Sequence, residues 1–301
     1  MRVLLGADVG GTKVAVRVAA ADGSTQSDME FPADGWEASP VEDAARRLID
    51  LLLRAAPSGG EIAAVGIGAQ GCDTTEHCAK LAAAIEAHGV AAAVVNDAAL
   101  LIPAAGLEHG IGLIAGTGSI GVGADATGAA LFAGGWGWVL GDDAGAPGIV
   151  REATKAALTA YDEGAPDDGL LSALLEHFAV PDAQSLARAV NDEPTPENWG
   201  PGAPAVFRAA DGGSRSALGV IDAAARSLQV LVNQLVERGA VGETVVAAGS
   251  VIVKQPLLAD RLRAHLARTN PGLELQVLDV PPVAGAIELA RRRASTGIEG
   301  R

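Results

Sequence analysis

The sequence predicts a two-lobed α/β protein, each lobe a mixed five-stranded sheet with flanking helices, with a cleft between the lobes. Three observations point there. The 301 residues are 49% hydrophobic but 3% aromatic, so a sizeable core has to be assembled from Ala, Val, Leu and Ile, which suits helices packed on parallel strands. A three-strand meander followed by αβ units occurs twice along the chain. Each meander also turns at its first hairpin on small residues, Gly10-Gly11-Thr12 and Gly116-Thr117-Gly118-Ser119.

In the first half, Arg2 to Val9 reads as a buried strand and Lys13 to Ala20 as a second. After the Asp22-Gly23 turn, Ser24 to Phe31 reads as a weaker third. A Rossmann domain would pass from strand to helix at once. Ser39-Pro40-Val41-Glu42 predicts a helix start, with Ser as N-cap, Pro at the first helical position and Glu closing a capping box. Val41, Ala44, Ala45, Leu48 and Leu52 then form one apolar stripe. Ile62 to Ala69 is a strand, Thr75 to His88 a helix and Ala91 to Val95 a strand. Asn96-Asp97 opens a short helix that ends near Gly106.

In the second half, Gly112 to Ala115, Gly121 to Ala124 and Ala129 to Ala133 read as strands, followed by a Gly- and Trp-rich loop from Gly134 to Gly148. Helices fill the chain to about Gly239, with the Pro-rich stretch Asp192 to Ala205 expected to be a loop. One helix carries Ile221, Ala224, Ala225, Leu228, Val232, Leu235 and Val236 on one face. Glu243 to Ala248 is a strand, Gln255 to Arg268 a helix, Glu274 to Leu278 a strand and Ala284 to Arg293 a closing helix. The lobes are expected at 1–106 and 107–296, the second with a helical insertion, and the last helix is free to pack back on the first lobe. Residues 297–301 contain Ile298-Glu299-Gly300-Arg301, a protease cleavage site of the kind engineered into expressed proteins, and are set aside.

A formal net charge of −15 disfavours nucleic acid and anionic membranes. With neither a secretory signal nor an 18-residue apolar run, a soluble, cytosolic protein is expected. Cys72 and Cys78 do not make a disulfide framework, and Cys-x5-Cys is a poor zinc or iron–sulfur signature.

Several motifs can carry chemistry, and each has a plainer reading. In Asp8-x-Gly10-Gly11-Thr12-Lys13 the glycines let a phosphate approach the backbone, Thr12 and Lys13 add a hydroxyl and a cation, and Asp8 faces the phosphate's Mg²⁺. Alone it is equally a Gly-Gly hairpin turn. Gly116, Thr117, Gly118 and Ser119 repeat the design in the second lobe, and the pair is more informative than either member. Neither has Walker A spacing. Asn96-Asp97 ends a strand: Asp97 is either an N-cap or a carboxylate that accepts a hydroxyl proton, and both roles are compatible. In Gly134-Gly135-Trp136-Gly137-Trp138 before Gly141-Asp142-Asp143, an aspartate cap explains one acid but not the tryptophans, which suit the apolar face of a sugar. The turns at Gly249-Ser250 and at Gly285 are either close packing or a cradle for a nucleotide.

Taken together, the order and spacing of Asp8-x-Gly-Gly-Thr-Lys13, Asn96-Asp97-Ala98-Ala99, Gly116-Thr-Gly-Ser119, Gly134-Gly-Trp-Gly137 with Gly141-Asp142, and Ala248-Gly249-Ser250 resemble the actin-like ATPase (RNase H-like) fold over residues 1 to about 293. Within it the chain is similar to the BadF/BadG/BcrA/BcrD group, and to its N-acetylglucosamine kinases. The resemblance implies ATP and Mg²⁺ as cofactors, an amino-sugar substrate phosphorylated at its 6-hydroxyl, and a homodimer. Asp97 would be the general base, Thr12 and Thr117 would flank the γ-phosphate, and Gly249, Ser250 and Gly285 would hold adenosine. Asp34, Gln70, Asn96, Asp97, Gly135, Trp136 and Asp142 would contact the sugar. Departures fall at the sugar side: Asp34 stands where relatives usually have Asn, Gln70 where they have a small polar residue, and Asp143-Ala144-Gly145 where they continue Glu-Gly-Ser. An added carboxylate at Asp34 favours a free amine and makes glucosamine a second candidate. The alternatives are an ATPase activator, whose cluster-binding cysteines are out of context here, and an ATP-driven switch without sugar chemistry. The zinc-binding cysteine cluster of ROK-family sugar kinases is missing.

Overall fold

The structure is a computed structural model and describes residues 2–11 and 13–296. The first half runs β1 (Arg2–Val9), β2 (Lys13–Ala20), β3 (Thr25–Pro32), α1 (Val41–Ala55), β4 (Glu61–Ala69), α2 (Thr75–Glu86), β5 (Ala92–Val95), a 3-10 turn (Asp97–Leu100) and α3 (Leu101–Ala104). The second runs β6 (Ile111–Ala115), β7 (Ser119–Ala124), β8 (Ala130–Gly134), α4 (Ala146–Asp162), α5 (Leu170–Phe178), α6 (Ala183–Asn191), α7 (Pro196–Trp199), α8 (Ala203–Asp211), α9 (Arg215–Glu237), β9 (Thr244–Ala248), α10 (Ser250–Lys254), α11 (Pro256–Thr269), β10 (Glu274–Val277) and α12 (Val283–Thr296).

The strands make two five-stranded sheets, ordered β3-β2-β1-β4-β5 and β10-β9-β6-β7-β8. In the first, β1 runs antiparallel to β2 and parallel to β4, and β4 runs parallel to β5. Side chains alternate between faces along a strand. Val3, Leu5, Ala7 and Val9 therefore share a face with Val14, Val16 and Val18, and bury it together with Leu48, Leu52, Leu81 and Ile85 of α1 and α2. Leu4, on the other face, packs with Ala19 and Ala64 against Ile287 and Ala290 of α12. Glycines let α12 come this close: a Cβ on Gly66 would lie 1.9 Å from the Ala286 carbonyl oxygen, and one on Gly6 2.9 Å from the Ile287 nitrogen.

Contacts divide the chain into two compact units. One holds Met1–Gly112, Val122–Leu131 and Leu278–Arg301; the other holds Leu113–Gly121 and Phe132–Val277. The closing stretch groups with the first unit because α12 packs on β1 and β4. In addition, Arg293 donates to Glu86 at 2.6 Å. Residues 297–301, expected to be a cleavage-site tail, lie outside the described residues. No described helix is long and apolar enough to cross a membrane.

Three local expectations are corrected. The N-cap of α1 is Pro40, without a side-chain cap, so Ser39 and Glu42 form no capping box. Ser39 lies one residue too early, and its hydroxyl faces His77 Nε2 at 3.4 Å. The Pro-rich stretch from Asp192 to Ala205 is non-helical only to Thr195 and helical from Pro196 on, because Pro196, Pro201 and Pro204 occupy first-turn positions, where a missing N–H costs nothing. Thr195 caps α7 through Asn198 N–H, and buried Trp199 donates its indole N–H to Val190 O at 2.9 Å. Finally, α4 begins after Gly145 with no side-chain cap, so neither Asp142 nor Asp143 caps it.

Candidate active site

In the first unit, alternation places Asp8 on the same face of β1 as Leu4 and Gly6, and the register sets it beside Gly68 of β4. A Cβ on Gly68 would lie 2.4 Å from the Leu100 side chain and 3.1 Å from Asp97 Cα. The bare glycine therefore lets the 3-10 turn after β5 settle onto β4 and brings Asp97 next to Asp8. The cap of that turn is Asn96, not Asp97. Asn96 is 5% exposed; its Oδ1 accepts from Ala98 N–H at 3.0 Å and its Nδ2 donates to Asp73 Oδ1 at 2.9 Å. Asp97 is thus not the cap residue of the turn.

Burial pushes the Asp8 carboxyl up to about 7; the Asp97 carboxylate adds to the rise and Lys13 opposes it. Asp97 is raised too, first by burial and then by Asp73, against hydrogen bonds from the backbone N–H groups of Ala98 and Asp97. Lys13 does not neutralise the pair at close range, because its Nζ sits 2.6 Å from Glu30 on β3. An exposed ion pair of this kind is worth less than ~1 kcal/mol and is readily exchanged for a phosphate. Two desolvated carboxylates without a bonded cation suit a divalent ion. A Mg²⁺ that takes one or two carboxylates and otherwise phosphate and water oxygens fits this donor set. Among the described residues no group of three or more His, Cys, Asp or Glu is arranged to hold a metal alone.

A pH prediction follows from Asp8. Its native value of about 7 lies above the ordinary 3.8. The stability it contributes is therefore full below pH ~4 and is lost as the pH rises through ~7. Asp8→Asn in metal-free protein should raise Tm at pH 8 by on the order of 5 °C and leave it unchanged near pH 4. Thermal melts at the two pH values check this, and equal melting at pH 8 would contradict it.

The hairpin tip is tight. Gly10 N–H donates to Lys13 O at 3.0 Å, and a Cβ on Gly11 would lie 2.8 Å from Gln70 Oε1. Gln70 follows β4, its carbonyl accepting the Trp36 indole N–H at 3.0 Å. Gly11, Trp36, Ser39, Gln70, Gly71 and His77 line a cavity of about 320 Å³. Asp34 is elsewhere: it lines a separate hollow of about 430 Å³ with Phe31, Arg46, Arg47 and Arg54. Thr12 lies outside the described residues.

In the second unit, the β6–β7 tip is wedged on two sides. Gly116 N–H donates to Gly118 O at 2.9 Å, and Gly116 O accepts from Ala146 N–H at 2.8 Å. Gly249, at φ +106°, has no room for a Cβ, which would lie 2.4 Å from Ala115 O; this brings Ser250 N within 3.4 Å of a Cβ on Gly116. Asp142, at φ +53°, covers Gly118, where a Cβ would meet Asp142 Oδ2 at 2.8 Å. Burial pushes the Asp142 carboxyl up against a hydrogen bond from Ser119 N–H, and its Oδ1 is buried without a partner among the described residues. Ser119 is buried and Thr117 exposed at the tip.

Residues 5–289 match the BadF/BadG/BcrA/BcrD ATPase family. The chain belongs to that family. It is 27% identical over 303 residues to an N-acetylmuramic acid/N-acetylglucosamine kinase of Clostridium acetobutylicum, covering 97% of this chain and 99% of the relative. It is also 27% identical over 204 residues to an N-acetyl-D-glucosamine kinase of Dictyostelium discoideum, 65% and 64% of the two chains. A solved structure from Chromobacterium violaceum, provisionally named an N-acetylglucosamine kinase, superposes with TM-score 0.69 at 26% identity, covering 96% of this chain and 99% of the other.

Within this BadF/BadG/BcrA/BcrD chain, the expected site residues divide by unit. Asp8, Gly10, Gly11, Gln70, Asn96 and Asp97 gather around the end of β4. Gly116, Thr117, Gly118, Ser119, Asp142, Gly249 and Ser250 gather around the end of β6. Gly285 joins neither group: it is buried under α3, where a Cβ would lie 2.1 Å from the Leu100 carbonyl oxygen, so packing accounts for it. The two loop tryptophans part company. Trp138 packs edge-on against Trp199 at 5.0 Å, whereas Trp136 is 75% exposed, beside Gly135, on a loop whose glycines 134, 135 and 137 all take positive φ. Cys72 and Cys78 are free thiols. Sequence reasoning missed Asp73 and Gly68. The alternation of Gly66 and Gly68 along one face of β4 was the available signal for the second.

Proposed function

We propose that this chain is an ATP-dependent amino-sugar kinase that phosphorylates the 6-hydroxyl of N-acetylglucosamine or glucosamine, giving the 6-phosphate and ADP. The observation that carries the reading is the meeting of Asp8 and Asp97 across Gly68. One carboxylate then faces the metal and phosphate while the other faces the acceptor hydroxyl. The names of the family relatives support a sugar as that acceptor.

Asp97 accepts the hydroxyl proton as the sugar oxygen bonds to the γ-phosphorus and the bond from phosphorus to the β–γ bridging oxygen breaks. Its raised proton affinity brings it nearer the working pH of a base than an exposed aspartate would be. Asp8 would hold Mg²⁺, which supplies positive charge to the phosphoryl oxygens when bound with ATP. The bare tips at Gly10-Gly11 and Gly116-Thr117-Gly118 let backbone N–H groups approach phosphate oxygens, and the Gly249-Ser250 turn is left for the adenosine side. Trp136 offers a ring face to the sugar's C–H face.

The test is ADP release with N-acetylglucosamine, glucosamine, N-acetylmannosamine, N-acetylmuramic acid and glucose. Stimulation by an amino sugar, lost with its 6-deoxy analogue, is expected. ATP turnover indifferent to every sugar would favour an ATP-driven switch. Trp136→Ala should raise the sugar KM about tenfold and the ATP KM less than about twofold. Equal effects on both would count against a sugar-facing tryptophan.

A further inference from the structure

The Asn96 amide has two ends and two different partners. Its oxygen accepts Ala98 N–H at 3.0 Å, and its NH₂ donates to Asp73 Oδ1 at 2.9 Å. Asp73 Oδ1 accepts from the NH₂ end. The oxygen end is thereby left for Ala98. Asn96 and Ala98 flank Asp97, so this one amide holds the backbone on both sides of the proposed base. Asn96 is buried, and Asp73 is its only side-chain partner among the described residues.

Asp73 is itself well anchored. It precedes Thr74, whose hydroxyl caps α2 by accepting His77 N–H at 3.1 Å. It follows fully buried Cys72, whose carbonyl accepts the Cys78 thiol at 3.4 Å. The turn from β4 into α2 is thus fixed at both ends, and Asp73 projects from it to Asn96.

We propose that Asp73 is a positioning residue: by orienting the Asn96 amide it holds the 3-10 turn that aims Asp97. This rests on the reading of Asp97 as the base. No function assigned above uses Asp73.

Two variants separate the contact from the charge. Asp73→Ala removes the acceptor and should lower kcat by about 10- to 100-fold, with both KM values within about threefold, because misplacing a reacting group acts on the chemical step. Asp73→Asn keeps an acceptor oxygen for Asn96 Nδ2 and should stay within about threefold of wild type. Amide exchange of Ala98, followed by NMR, should quicken in Asp73→Ala and not in Asp73→Asn. Wild-type kcat in Asp73→Ala, an equal loss in Asp73→Asn, or unchanged Ala98 exchange in Asp73→Ala would each overturn the proposal. If wild-type protein responds to no sugar, the kinase reading falls, and Ala98 exchange still decides whether Asp73 holds the turn.

Discussion

Asp97→Asn should lower kcat about 10³-fold while leaving the fold and ATP binding in place. Asparagine has nearly the same shape, and its oxygen can still accept the backbone N–H groups that now reach the carboxylate. It cannot take a proton. Because burial is the largest cause of the raised proton affinity of Asp97, the charge is a cost to the native state above its native pKa, and removing it should not lower Tm at pH 8. The checks are sugar-dependent ADP release, nucleotide binding by titration calorimetry and a thermal melt. A well-folded, fully active Asp97→Asn protein would sink the assignment of the base.

Gly66→Ala should be the most damaging single methyl in the first unit. Its Cβ would meet the Ala286 carbonyl oxygen at 1.9 Å and the Ala290 nitrogen at 2.7 Å. Both are backbone atoms of α12, so no side chain can swing aside and the helix must lift from the sheet. Overpacking against backbone costs roughly 3 kcal/mol or more, equivalent to a Tm loss on the order of 10 °C in a chain of this size. Gly219→Ala is the control. Gly219 is exposed within α9, nothing lies within 4 Å of its added Cβ, and alanine there should stabilise by about 0.5–1 kcal/mol. Denaturant melts of both variants check the contrast. A neutral Gly66→Ala would mean that α12 is not seated on β1 and β4 as described.

Much of this was legible in the residues. The β1–β2 hairpin, the stripe at Ala44, Ala45, Leu48 and Leu52, and the face of α9 from Ile221 to Leu235 all follow from short-range periodicity, and the structure keeps them, whereas Val236, expected on that face, is exposed. Capping was harder to read. Ser39, Asp97 and the pair Asp142 and Asp143 each have the chemistry of an N-cap, but a cap depends on which residue adopts extended geometry one step before the helix, and neighbours decide that. The Pro-rich stretch misled for a related reason, since proline at the first turn and proline in a loop look alike until Trp199 is seen to be buried. Trp136 and Trp138 are indistinguishable two residues apart, yet only one finds a partner in Trp199.

The sequence by itself determined the elements, the two glycine-tipped hairpins and an acid at the end of β5, because turn chemistry and side-chain alternation act within a few residues. Only the tertiary structure decided that Asp8 and Asp97 come close across Gly68, that Asp73 reaches Asn96, that Asp34 lines a different hollow from Gln70, and that Gly285 packs against the Leu100 carbonyl. Those outcomes depend on strand register and on a missing Cβ at Gly68, where residues tens of positions apart compete for the same few ångströms.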